Sequence, residues 1–327
     1  MIREIYKNIY LNEITLPNSP LKYLNSYIIK DGERPLVIDT GFNRPECRES
    51  FLAGLEELSV DIGQTDVLAT HLHSDHCGLI HELKEKGARV MMGELESASI
   101  TALNDPRYWD RMEELARLYD LEKYALKIGD HPGYKFRPGD INDYRTLSDG
   151  ETLKKGGYNL QVLLVPGHTP GHIALYEAEH GLLFCGDLIL EKITPTITFW
   201  GFEHDILQVY FNTLDKVRRL PVKLLLTGHR ALLKDHTRRI DQLLVHHEKR
   251  LAEIKDILQG GEKSVADTAG RMTWDIKAKS WEDFPKAQKW FAAGEAMAHL
   301  EHLYRRGQIE RRGENGTLLY KASRREE

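Results

Sequence analysis

At 327 residues, 41% hydrophobic and 29% charged, the chain can build one large core or two smaller ones and is too apolar to be disordered. Its 45 Lys+Arg against 50 Asp+Glu give a net charge of −5, which excludes binding nucleic acid by bulk charge. No stretch approaches the roughly 18 consecutive apolar residues of a membrane span, the opening Met-Ile-Arg-Glu has no apolar run, and Cys47, Cys77 and Cys185 are too scattered for a disulfide framework. A cytoplasmic protein without membrane attachment is expected.

In chain order, two apolar runs between Tyr27 and Asp39 flank an Asp31-Gly32 turn, a hairpin signature that ends in Asp39-Thr40-Gly41. A helix is predicted over 47–58, a strand over 67–69, a helix over 77–86 stopped by Gly87, and a strand over 89–92. Residues 93–130 read as a helical insertion without strand signal. Strands return over 160–165, 173–177, 182–185 and 223–226, with a helix over 206–220. Two strand sets with helices outside predict an α/β fold built as a four-layer α/β/β/α sandwich over residues 1–235.

The pattern changes after His229, and residues 236–327 form the second predicted unit. Ile240, Leu243, Leu244, Leu251, Ile254, Ile257 and Leu258 mark one face of a long helix ending at Gly260-Gly261. Helices over 264–271 and 285–306 then precede an Asn315-Gly316 turn between two strand-like arms, the outline of a winged-helix-like domain.

The chemistry concentrates at strand ends. After the strand ending at Thr70 comes His71-Leu72-His73-Ser74-Asp75-His76, three imidazoles and a carboxylate within six residues. In extended chain His71 and His73 point the same way and can share one ion, while Asp75 and His76 at the following turn can reach another. His168, Asp187 and His229 each follow a further apolar run, which gathers them at one edge of a sheet. His172, four residues after His168, is expected to support the ligands rather than bind metal. Cys77 and Cys185 read as buried filler, and His246, His247, His299 and His302 as surface or packing residues.

This motif, with His168, Asp187 and His229 in that order and the run Leu36-Val37-Ile38-Asp39-Thr40-Gly41 before it, resembles the metallo-β-lactamase fold superfamily over residues 1 to about 235. The resemblance implies two divalent metal ions: His71, His73 and His168 on one, Asp75, His76 and His229 on the other, Asp187 bridging, and Asp39 behind the ligands. It implies a hydrolase using a metal-bridging hydroxide, with Asp75 orienting it and taking its proton. The ligand set suits Zn²⁺, with Mn²⁺ or Fe²⁺ chemically admissible.

Within the superfamily, zinc β-lactamases commonly carry Cys where this chain has Asp187, the flavodiiron branch has Glu at the place of His73, and the lactonase Tyr three residues after the bridging Asp is Leu190 here. The whole ligand set resembles glyoxalase II thioesterases, without their basic glutathione-binding tail. The acidic catalytic domain and the aromatic residues of the insertion make a small ester or thioester the expected substrate, ahead of a metal-dependent endoribonuclease acting on single-stranded RNA, an iron-dependent persulfide dioxygenase, or a binding module with a vestigial site. Tyr108 and Trp109 in the insertion, and Phe199 and Trp200 after Asp187, are candidates to line the substrate cleft. Arg305, Arg306, Arg311, Arg312, Lys321, Arg324 and Arg325 surround the predicted wing, and residues 236–327 carry a net +3. That arm can meet nucleic acid, remain a solvated face, or form a contact in a homo-oligomer.

Overall fold

A computed structural model describes residues 2–30, 32–140 and 143–323. Asp31 of the predicted turn and Arg324 and Arg325 of the basic arm lie outside them. The first sheet runs in the order β1 (Ile2–Tyr6), β2 (Ile9–Thr15), β3 (Tyr23–Ile29), β4 (Leu36–Ile38), β5 (Asp66–Ala69), β6 (Arg89–Gly93), β7 (Arg145–Leu147), antiparallel up to β4 and parallel from β4 onward. The second runs β8 (Thr152–Lys155), β9 (Tyr158–Leu164), β10 (Ile173–Glu177), β11 (Leu182–Gly186), β12 (Leu224–Thr227), antiparallel except for the β11–β12 pair.

Side-chain alternation explains the layering. On β4, Leu36 and Ile38 face the second sheet, whereas Val37 faces outward; on β11, Leu182 and Phe184 face the first sheet, whereas Leu183 and Cys185 face outward. A strand apolar on both faces must be covered on both. Phe51 and Leu55 of α1 (Pro45–Glu57), with Ile80 and Leu83 of α3 (Ile80–Glu85), cover the first sheet; the short α2 (Ser74–Cys77) precedes α3. Leu214 and Val217 of α7 (Ile206–Arg218), with Ile240 and Leu243 of α8 (His236–Gln259), cover the second. The four predicted layers are present.

Three features differ from expectation. Strands β1 and β2 extend the first sheet from the chain's beginning, where no element was assigned. The segment without strands between β6 and β7 extends past residue 130 and holds α4 (Glu94–Ala102), α5 (Pro106–Leu118) and α6 (Pro132–Lys135). β7 and β8 also precede the return of strands expected near 160; at three and four residues, with mostly exposed side chains, they leave little periodic signal. The remaining chain forms β13 (Lys263–Ser264), α9 (Val265–Ala269), α10 (Lys286–Arg305), β14 (Ile309–Glu314) and β15 (Thr317–Ala322), the strands in the order β13-β15-β14. Ala293, Met297 and Leu300 of α10 join the same continuous apolar cluster as α7 and α8. No helix among the described residues is long and apolar enough to cross a membrane.

Candidate metal centre

Every sequence-predicted ligand follows the C-terminal end of a strand: His71, His73, Asp75 and His76 follow β5, His168 follows β9, Asp187 follows β11 and His229 follows β12. Bonds between the sheets hold these ends together. Ile173 N–H donates to Thr70 O (3.0 Å), Asn25 N–H to Gly228 O (2.7 Å) and the Tyr27 hydroxyl to Thr227 O (2.6 Å). Three clusters result, each with donor atoms within 4.8 Å of one another: His71, His73 and His168; His71, His76 and Asp187; Asp75, His76 and His229. His71, His76, His168, Asp187 and His229 are buried.

The hydrogen bonds behind the imidazoles fix which nitrogen faces the cluster. Thr70 donates its hydroxyl proton to Asp39 Oδ2 (2.9 Å), so its oxygen accepts from His71 Nδ1–H (3.0 Å). His76 Nδ1–H donates to Asp39 Oδ2 (2.8 Å), His168 Nδ1–H to Thr196 O (2.8 Å) and His229 Nδ1–H to Tyr23 O (2.9 Å). With Nδ1 carrying the proton, Nε2 of all four rings presents a lone pair. Asp39 thus serves two of them, and Thr70 N–H also donates to its Oδ1 (2.8 Å). Asp39 adopts φ +63°, a left-handed backbone that costs a non-glycine residue energy and that its carboxylate's three bonds offset.

The donor set fits divalent cations. His76 Nε2 and His229 Nε2 lie 3.3 Å apart, a contact between acceptors that a shared cation relieves, and His71 Nε2 lies 3.2 Å from His73 Nδ1. His168 Nε2 and Asp187 Oδ1 are buried without a hydrogen-bond partner, which a metal bond satisfies. Burial, reinforced by the neighbouring His168, holds His73 down at about 3, and burial with His76 and the other rings keeps His71 well below the usual histidine range. Burial pushes His76 down too, but Asp187 and Asp39 outweigh it and favour positive charge there, whether brought by a proton or by a metal. Asp75, pushed up by burial, is brought down to about 2 chiefly by the neighbouring His229 ring, whose Nε2 stands 3.3 Å from its Oδ2.

His172 belongs to none of the clusters; its ring packs 4.8 Å from that of His71. The four cleft candidates divide. Trp200 is half-buried and donates Nε1–H to His168 O (3.3 Å), next to a ligand. Phe199 is buried in the core, with its N–H on Gly294 O (3.1 Å). Trp109 is buried inside the helical segment, its indole N–H on Leu103 O (2.8 Å), with Tyr108 packed against it. Sequence reasoning missed two residues near the site. Ser74 donates to Pro132 O (3.4 Å), which brings α6 onto the histidine motif. Glu96, fully buried, bonds the loop that carries His168; a glutamate in a helix's first turn gives no signal of this.

Residues 21–229 match the metallo-beta-lactamase superfamily model, and residues 282–323 match a metallo-beta-lactamase-like C-terminal domain. The chain belongs to the metallo-beta-lactamase superfamily. The acyl-coenzyme A thioesterase MBLAC2 of Homo sapiens is 27% identical over 173 residues, 51% of this chain and 58% of its own length. The hydroxyacylglutathione hydrolase GloC of Haemophilus influenzae is 28% identical over 181 residues, 55% of this chain and 73% of its own length. A crystal structure of a metallo-beta-lactamase family protein from Thermus thermophilus superposes with a TM-score of 0.83 at 27% identity, covering 98% of this chain and 100% of the other. Fold, donor set and relatives make the protein a metal-dependent hydrolase.

Proposed function

We propose that the protein hydrolyses a small acyl thioester at a dinuclear zinc site. The observation that carries the proposal is the convergence of four imidazole Nε2 atoms and the Asp75 and Asp187 carboxylates at one strand edge, backed by a shell that leaves each of those rings one free lone pair. In this reading His71, His73 and His168 hold one ion, Asp75, His76 and His229 the other, and Asp187 spans both. Bound there, divalent ions supply a water of lowered pKa and a Lewis acid for the substrate carbonyl.

The chain's own residues do the rest. Asp75 stays ionised at neutral pH, and its carboxylate accepts the proton of the attacking water and returns it to the sulfur of the leaving thiolate. Water plus thioester thereby become carboxylic acid plus thiol, with no oxidant required. Asp39 and Thr70 keep the His71 and His76 rings from rotating, which preserves the geometry between turnovers. Trp200, seated on the His168 carbonyl, supplies an apolar wall for the acyl group. The names of the thioesterase relatives support a thioester over a phosphodiester.

The basic arm gives an endoribonuclease little support. Arg311 pairs with Glu301 (2.7 Å), Arg312 with Glu262 and Glu314, and Lys321 with Glu310 (2.9 Å). Paired cations have less charge to offer phosphates. The test is a panel of acyl-coenzyme A and acylglutathione thioesters, lactones, a phosphodiester and labelled single-stranded RNA with the zinc-loaded protein. Thioester turnover is expected to lead; RNA cleavage without it overturns the proposal, as does oxygen uptake with a persulfide.

A further inference from the structure

Two loops must keep a fixed distance for the first trio of ligands to close. One, from β5 to α2, brings His71 and His73; the other, from β9 to β10, brings His168. His168 has its ring rotation set by Thr196 O, which leaves the loop's backbone position to be explained.

Glu96 supplies it. It stands in the first turn of α4 and is fully buried. Its Oε1 accepts from the Thr169 hydroxyl and from Gly171 N–H (3.1 Å), one and three residues beyond His168. Burial pushes the carboxyl up to about 7, against these two bonds, and its Oε2 is buried without a hydrogen-bond partner. A helix N-terminus favours negative charge at the same place. The approach of backbone to backbone is tight. A Cβ on Gly171 would stand 2.7 Å from Glu96 N, and one on Gly93 would stand 2.9 Å from Gly171 O. Only glycines let the loop lie against the start of α4 with the carboxylate reaching over it.

We infer that Glu96 is a positioning residue that ties the His168 loop to the start of α4 and thereby sets the metal affinity of that trio. The inference rests on the dinuclear reading above. An apolar side chain would fill the same volume without a buried charge, so the carboxylate is there to accept from Thr169 and Gly171. Residues behind metal ligands typically govern affinity by about 10–100-fold.

The experiment is zinc affinity by chelator competition, with Co²⁺ absorption reporting the ligand field, on wild type, Glu96→Ala, Glu96→Gln and Thr169→Val. Glu96→Ala is expected to weaken zinc binding at that trio by at least about tenfold and alter the Co²⁺ spectrum. Glu96→Gln, which keeps an oxygen for Thr169 and Gly171, should recover most of the affinity. Thr169→Val removes one hydroxyl at nearly constant volume and should lose a smaller factor, non-additive with Glu96→Ala. If Glu96→Ala does not fold, Thr169→Val decides: unchanged zinc affinity overturns the inference. Wild-type affinity and spectrum in folded Glu96→Ala do the same, while a wild type that binds no zinc instead overturns the dinuclear reading beneath it.

Discussion

Gly228, between Thr227 and the ligand His229, offers a sharp test of how tightly the fold builds the metal centre. Its N–H donates to Gly186 O (2.8 Å) and its carbonyl accepts from Asn25 N–H (2.7 Å), so its backbone is pinned on both sides. A Cβ placed there would stand 2.8 Å from His76 Cε1 and closer still to Asp187 Oδ1, where ordinary contact begins at 3.4 Å. Gly228→Ala therefore pushes the His76 ring by about 0.6 Å and the Asp187 carboxylate further. Ligand distances tolerate roughly ±0.2 Å, so both residues lose bonding geometry. Zinc affinity at the Asp75, His76 and His229 cluster is expected to fall by about 100-fold, which is about 2.8 kcal/mol. Chelator-competition titration measures it, with circular dichroism to show that the variant is folded. A folded Gly228→Ala that binds zinc as tightly as wild type would refute the assigned positions of His76 and Asp187.

Other expected outcomes follow from the same geometry. Asp187→Ala should abolish turnover and lower the bound metal, checked by elemental analysis beside a thioester assay. Asp66, buried among Arg34, Arg89 and Lys155 at 2.8–3.0 Å, is raised by burial but held below the usual carboxylate range by bonds from Arg89, Lys155 and Arg34. A lowered carboxyl stabilises above its unfolded value near 3.9 and loses that stabilisation as pH falls through its folded value. Asp66→Asn should thus cost about 3 kcal/mol in denaturant unfolding at pH 7, with the gap to wild type closing below pH ~4. Arg311 bonds the buried Glu301, which also accepts from the Tyr320 hydroxyl (2.7 Å). Arg311→Gln should cost about 2 kcal/mol by leaving Glu301 underpaired and leave thioester turnover unchanged; intact stability would show that the arginine is free for another partner.

Much of the sandwich was legible because buried strands leave continuous apolar runs, and the donor set because each of its members follows such a run. His71, His73, Asp75 and His76 lie within six residues, so their meeting needs no knowledge of the fold. What could not be read was the shell behind them. Thr196 O and Tyr23 O are backbone atoms that orient ligands 28 and 206 residues away, and no residue type marks them. Glu96 looks like any exposed helix-start glutamate until Thr169 and Gly171 are brought to it. The pairing within the basic arm was hidden for the same reason, since Glu262 and Glu301, which pair with Arg312 and Arg311, are distant along the chain or on another element. Phe199, buried in the core, shows the converse: an aromatic close to a ligand in sequence signals apolar packing as readily as a cleft wall.

The most direct test of the central claim is a titration of metal-free protein with Zn²⁺ while hydrolysis of an acyl-coenzyme A thioester is followed. Activity rising to a plateau at two equivalents, and lost on chelation, is the result expected of a dinuclear thioester hydrolase. Turnover that persists in the metal-free protein, or no thioester cleavage at any zinc ratio, would contradict it.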